Sequence, residues 1–113
     1  MTVIRQEDLI ESIADALQFI SYYHPLDFIR AMRGAWEKEE SPSAKAALTQ
    51  VLVNSRMCAI GKRPICQDTG IVNVFISVGM DVSWEADMSL EDMINEGVRR
   101  GYTHPENVLR GSV

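Results

Sequence analysis

Apolar residues recur at helical spacing through the first half of the chain, separated by charged and polar positions. This period predicts three helices, which together occupy residues 7–61. The first begins at Asp8 and ends before Pro25, and the second starts at that proline, which suits the first turn of a helix. The third starts at Ser41, a favourable N-cap residue, and ends at Gly61. The apolar residues that define the three predicted helices are Leu9, Ile10, Ile13, Leu17, Ile20, Phe28, Ile29, Met32, Trp36, Ala44, Ala47, Leu48, Val51 and Leu52.

The hydrophobic period changes to two between Ile71 and Val82, where β-branched residues alternate with their neighbours. Such alternation is typical of a strand that is partly buried on both faces. We therefore predict a strand region over residues 71–84, with a bulge or a turn at Gly79.

A fourth helix is predicted over residues 89–101. Ser89, followed by Asp92 three residues later, resembles a capping box, and Gly101 marks the predicted end. A helical N-terminal bundle followed by a strand-containing layer gives an α+β fold. Because one strand or hairpin is rarely stable without partners, we expect this chain to be part of a larger α/β domain whose sheet continues elsewhere.

Composition and charge narrow the possible functions. The chain of 113 residues has a formal net charge of −5, which argues against nonspecific nucleic-acid binding, because that function needs a basic surface. It has no apolar run as long as a membrane span, and acidic residues interrupt the region where a secretory signal would lie. Its two cysteines are too few for a disulfide scaffold. We therefore expect a cytoplasmic protein with reduced thiols, no nucleic-acid partner and no membrane attachment.

Residues 62–70 lack helical periodicity and form a predicted loop that carries the candidate chemistry of the chain. Cys66 offers a soft thiolate suited to iron–sulfur ligation. Asp68 can move a proton, and Gly70 lets the backbone turn tightly toward a ligand. Taken alone, this spacing is typical of an ordinary turn with an inert cysteine, and it favours that interpretation over a metal site.

The same loop resembles a motif of a known enzyme family. The string Arg63-Pro64-Ile65-Cys66-Gln67-Asp68-Thr69-Gly70 is similar to the cysteine motif of class I fumarases and of the related tartrate dehydratase α subunit. The resemblance extends upstream to Asn54-Ser55-Arg56, and downstream to Asn95-Glu96-Gly97-Val98-Arg99-Arg100 and Asn107-Val108-Leu109-Arg110. The resemblance covers the chain from about the third helix onward. The chain is therefore similar to the N-terminal region of a class I fumarase.

The resemblance implies a [4Fe–4S] cluster held by three cysteines, with one iron left open as a Lewis acid. The implied reaction is the reversible addition of water to fumarate, which gives (S)-malate. Cys66 would be one of the three cluster ligands, and the others are expected outside this chain. Gln67 and Asp68 would bind the dicarboxylate substrate, and Asp68 would protonate the departing hydroxide. Arg110 would bind a substrate carboxylate, although the residues alone favour an arginine that is exposed or paired with Glu106.

The other residues with reactive side chains are assigned structural roles. Cys58 is interpreted as a buried, inert thiol, with a redox pair to Cys66 as the alternative. His24 and His104 each precede a proline and are interpreted as surface or capping residues. The pair Arg99-Arg100 is interpreted as part of the surface.

The cysteine count limits what the chain can do alone. Two cysteines cannot supply three ligands, so we predict that the 113-residue chain neither retains a stable cluster nor catalyses hydration. The full-length enzyme is expected to be a homodimer. Two alternatives stay open: a tartrate dehydratase-type lyase, because malate and tartrate are both 2-hydroxy dicarboxylates, and a non-catalytic structural or assembly module.

Overall fold

Four helices and two short strands make up the computed structural model, which describes residues 1–66, 71–107 and 109. In chain order they are β1 (Thr2–Arg5), α1 (Gln6–Tyr22), α2 (Leu26–Lys38), α3 (Pro42–Gly61), β2 (Val82–Glu85) and α4 (Leu90–Thr103). The predicted α+β class is confirmed.

The chain divides into two compact units, and the division falls within α1. One unit comprises Met1–Phe19 together with the described residues from Ile71 onward, and the other comprises Ile20–Cys66.

In the first unit, α4 packs against α1 through two glycines spaced one helical turn apart. A Cβ atom added at Gly97 would lie 2.7 Å from Ile13 Cβ and 2.9 Å from Ile10 O. At Gly101 the nearest atom would be Leu17 Cδ1, at 3.0 Å. The backbone of α4 therefore approaches α1 more closely than a side chain at Gly97 would allow.

This packing explains why α4 continues past its predicted end. Gly101 was expected to stop the helix, but α4 runs to Thr103 because Gly101 serves the contact with α1. The predicted start is confirmed, since Ser89 Oγ accepts a hydrogen bond from Asp92 N at 3.1 Å. Buried apolar side chains complete this core: Ile10, Leu17 and Met93.

The strand region predicted over residues 71–84 is wrong for most of its length. Only β2 forms, and it pairs in parallel with β1, from Thr2 opposite Val82 to Arg5 opposite Glu85. Residues 71–79 have neither helix nor strand. A strand satisfies its backbone only by pairing, and the described part of the chain supplies no strand beside this segment.

Local features at the ends of this segment follow from its sequence. The turn expected after Gly79 is present, since Val82 N donates to Gly79 O at 3.3 Å. The partner strand β1, in contrast, was not predicted, because four residues are too few to reveal a period.

In the second unit, α2 and α3 pack against each other, and the side chains of α2 are half-buried or exposed. Trp36 Nε1 donates to Thr49 Oγ1 at 2.8 Å, and Lys45 Nζ lies 4.2 Å from the centre of the Trp36 ring. The predicted start of α3 at Ser41-Pro42 is confirmed. At its other end Gly61 is the last helical residue, while Lys62 takes the left-handed conformation with a φ of 49°.

Candidate functional site

Cys66 lies in the loop segment that follows the C-terminus of α3. The left-handed turn at Lys62 reverses the chain, and Arg63 N donates to Cys58 O at 3.1 Å. Residues 63–66 contain no helix or strand, as the sequence predicts for this part of the loop. The side chain of Cys66 is exposed.

The backbone just before Cys66 is held on two sides. Ile65 N donates to Ser21 O, in the last turn of α1, at 2.8 Å. Ile65 O accepts a hydrogen bond from Asn54 Nδ2, on α3, at 3.1 Å. Both polar backbone groups of the residue preceding Cys66 are therefore fixed by helices of the same unit.

Cys58 adds a third contact to this loop from its buried position on α3. Its side chain is 5% exposed, which confirms the predicted burial. Its sulfur lies 3.4 Å from Pro64 O and 3.6 Å from Asn54 Oδ1, distances at which a thiol donates weakly. One thiol proton can serve only one of these acceptors at a time. The two cysteines of the chain are not bonded to each other.

A polar pair lies on the neighbouring turn of α3. Ser55 is 7% exposed, and its Oγ is hydrogen bonded to His24 Nδ1 at 2.9 Å. The His24 ring also stacks on Phe28, with ring centres 4.2 Å apart. The interpretation of His24 as a surface or capping residue is therefore wrong. The His24 side chain is half-buried and links the α1–α2 connection to α3.

In the other unit, Asn107 organises the segment that precedes Arg110. Its Oδ1 accepts hydrogen bonds from Leu109 N at 2.8 Å and from Gln18 Nε2 at 3.0 Å. Its Nδ2 donates to Tyr102 O at 2.8 Å and to Leu109 O at 3.1 Å. The side chain of Asn107 thus bonds both polar backbone groups of Leu109, as α1 and α3 together do for Ile65.

An ion-pair network covers the exposed side of α4. Arg99 binds Glu96 through two nitrogens, at 2.7 and 2.6 Å, and Arg100 binds both Glu96 and Glu7. Hydrogen bonds from Arg99, and then from Arg100, lower the pKa of Glu96 to about 2. Both arginines are paired with carboxylates of this chain, in agreement with the surface role predicted for them.

The remaining predicted site residues lie outside the described part of the chain. These are Gln67, Asp68 and Arg110, so their roles stay predictions. Among the described residues, no three His, Cys, Asp or Glu side chains lie close enough together to hold a metal ion. The exposed thiol of Cys66 fits one ligand of an iron–sulfur cluster, and the described residues do not supply the complete set.

Sequence reasoning missed the residues that hold the candidate loop. Asn54 and Cys58 are four residues apart, which places them on one face of a helix, but the period alone does not show that this face meets a loop. Asn107 likewise carried no signal beyond its position in the resembling segment. Within the described residues, no helix has the length and apolar character needed to cross a membrane.

Comparison with known proteins gives a family and one relative. Residues 10–113 match the family described as "Fumarate hydratase (Fumerase)". A protein of Methanocaldococcus jannaschii, provisionally named as the alpha subunit of an L(+)-tartrate dehydratase, is 28% identical over 88 residues. The match covers 78% of this chain and 31% of that relative. No solved structure matches the chain.

Proposed function

Because the chain belongs to the fumarate hydratase (Fumerase) family, we propose that it is part of a hydro-lyase that reversibly adds water to fumarate to give (S)-malate. The chain spans about a third of the curated relative that it matches, so the proposal concerns the whole enzyme. The family match over residues 10–113 supports the reaction class, and the residues around Cys66 support the chemistry.

The observation that carries the proposal is the combination of an exposed thiol with a fixed backbone. The thiol of Cys66 can reach a cluster because its side chain is exposed. The two hydrogen bonds of Ile65, at 2.8 and 3.1 Å, hold the adjacent peptide. A ligand that is already held in place loses less conformational freedom when it binds its metal.

The cofactor of the proposed enzyme is a [4Fe–4S] cluster. When bound, the cluster supplies an iron that acts as a Lewis acid toward the substrate hydroxyl. Cys66 would hold one iron through its thiolate, and Gln67 would orient the dicarboxylate by hydrogen bonds. Asp68 would hold the proton that the departing hydroxide takes up during dehydration. Arg110 would bind one substrate carboxylate through two parallel hydrogen bonds.

The test is to express the complete reading frame without oxygen and to measure fumarate hydration and bound iron together. We expect the wild type to carry iron and to be active, and to lose activity in air. The variant Asp68→Asn should keep its iron and lose rate by about 100-fold or more, because a positioned acid contributes that much. A wild type that carries iron but hydrates no dicarboxylate would contradict the proposed reaction.

A second substrate is favoured by one specific observation. The curated relative is named for tartrate, whereas the family is named for fumarate. Malate and tartrate differ by one hydroxyl group, and both offer two carboxylates and a 2-hydroxyl. Comparing kcat/KM for malate and L(+)-tartrate on the same anaerobic preparation decides between them.

The proposal also extends to assembly and location. We propose a cytoplasmic homodimer, in which the other two cluster ligands come from sequence that this chain does not contain. The isolated 113-residue chain should neither retain iron nor turn over malate. Sedimentation of the complete, cluster-loaded protein tests the dimer, and a monomer that is fully active would contradict it.

A further inference from the structure

The side chains of Asn54 and Cys58 lie one helical turn apart on α3 and converge on the same short stretch of backbone. Resting on the proposed function, we propose that they are positioning residues for the cluster. They fix the peptide groups of Pro64 and Ile65, and thereby set where the Cys66 thiolate stands. Neither residue is proposed to touch iron or substrate.

The contacts of Asn54 fix the orientation of its amide. Its Nδ2 donates to Ile65 O at 3.1 Å, and its Oδ1 lies 3.6 Å from the Cys58 sulfur on the acceptor side. The amide therefore works as a donor toward the loop and as an acceptor toward the helix. An aspartate of the same shape keeps the acceptor but loses the donor, and its charge repels the carbonyl oxygen of Ile65.

Cys58 supports the loop from the buried side. With 5% of its side chain exposed, its thiol is shielded from water and directs its proton to Pro64 O or to Asn54 Oδ1. Its backbone oxygen accepts from Arg63 N at 3.1 Å. Cys58 therefore contacts residues two and three positions before Cys66, while Asn54 contacts the residue directly before it.

The geometry leaves little freedom between the held groups and the thiol. The Ile65 carbonyl belongs to the planar peptide that joins Ile65 to Cys66, and adjacent Cα atoms are about 3.8 Å apart across a trans peptide. Fixing this carbonyl therefore restricts the position of the Cys66 Cα atom. Ser21 O completes the restraint by accepting Ile65 N at 2.8 Å. If Asn54 or Cys58 is changed, this restraint weakens while α3 itself stays intact, because helix hydrogen bonds do not depend on these side chains.

Two pairs of variants separate positioning from stability and from ligation. Asn54→Asp removes the donor, and Gln50→Glu makes the same amide-to-carboxylate change on an exposed residue of α3. Cys58→Ala removes the thiol proton, whereas Cys58→Ser keeps a donor at that position. If Cys58 is a positioning residue, Cys58→Ser should retain the restraint on the loop that Cys58→Ala loses. If Cys58 were a cluster ligand, both variants would lose iron.

The first measurement needs no cluster. Amide hydrogen exchange at Ile65 in the 113-residue chain should accelerate about fivefold or more in Asn54→Asp and in Cys58→Ala, because each variant loses a neighbouring hydrogen bond that helps to keep the Ile65 N–H on Ser21 O. Cys58→Ser and Gln50→Glu should exchange as the wild type does. Wild-type exchange at Ile65 in both Asn54→Asp and Cys58→Ala would overturn the proposal.

The second measurement uses the complete, cluster-loaded protein and follows the rate of iron loss to a chelator. We expect faster loss in Asn54→Asp and Cys58→Ala, and wild-type rates in Cys58→Ser and Gln50→Glu. If Cys66→Ser alone loses its iron and these two variants do not, the positioning role is overturned and the proposed function stands. If Cys66→Ser retains its iron as the wild type does, both are overturned.

Discussion

Helix α4 and the segment 71–80 belong to the same unit and use their apolar residues in opposite ways. In α4, Met93 is 1% exposed, and the two glycines that follow it on the same face lie against α1. In the segment 71–80, Phe75 is 96% exposed and Met80 is fully exposed, and residues 71–79 have no regular secondary structure. Among the residues that the structure describes, the apolar face of α4 has a packing partner and the alternating segment has none.

The difference follows from how helices and strands satisfy their backbones. A helix bonds its own peptide groups and needs a partner only for one apolar face, which α1 supplies to α4. A strand needs a neighbour for its peptide groups as well as for its side chains. The alternating pattern of residues 71–80 is therefore not enough to make a strand among the residues that the structure describes.

The largest change in stability is expected from a substitution in the buried core of α4. Met93→Ala should lower the free energy of unfolding by about 2–5 kcal/mol, because truncating this buried side chain leaves a cavity in the core. Urea unfolding followed by far-UV circular dichroism measures the change. A loss below about 1 kcal/mol would show that Met93 is not a core residue.

The next effect tests how closely α4 approaches α1. Gly97→Ala should cost about 1–3 kcal/mol, because the new Cβ meets Ile13 and the Ile10 carbonyl oxygen and overpacks the contact. Gly34→Ala is the matched control on α2, since nothing lies within 4 Å of its Cβ position. That control should be neutral or should stabilise the chain by up to about 1 kcal/mol. If both substitutions stabilise equally, the close contact does not exist.

A smaller effect concerns the exposed face of α4 and depends on pH. The pKa of Glu96 falls from its ordinary 4.5 to about 2 in the folded chain, because Arg99 and then Arg100 bind its carboxylate. The ionised Glu96 carboxylate therefore stabilises the folded chain fully at pH values above its ordinary pKa of 4.5. This contribution is lost as the pH falls through about 2. The stability difference between wild type and Glu96→Gln should shrink over that window. A difference that is constant with pH would contradict the ion pairs.

The smallest effect is expected in the exposed segment. Phe75→Ser should change the free energy of unfolding by less than about 0.5 kcal/mol, because its ring makes almost no contact that unfolding would break. The same urea titration measures it beside Met93→Ala. A loss as large as that of Met93→Ala would mean that Phe75 is buried, and the contrast between the two regions would disappear.

The sequence predicted what depends on local pattern and missed what depends on distant partners. The four helices begin and end within a few residues of their predicted bounds, since Ser41, Ser89 and the flanking prolines act locally. The strand predicted over 71–84 was wrong for residues 71–79, because pairing is not encoded in the strand's own period.

The candidate site shows the same division. The loop over the described residues 62–66 was predicted from the Gly and Pro positions around it, and the burial of Cys58 was predicted from its residue type. The contacts of Asn54 with Ile65, and of His24 with Ser55, required the path of the chain in space. The roles of Asp68 and Arg110 stay predictions from the resemblance.

The role of Cys66 is tested by measuring bound iron per chain in Cys66→Ser and Cys58→Ser, both made in the complete reading frame and purified without oxygen. We expect Cys66→Ser to lose the cluster, because it lacks the ligand thiolate, and Cys58→Ser to keep as much iron as the wild type. If Cys66→Ser bound as much iron as the wild type, this exposed cysteine would not be a cluster ligand.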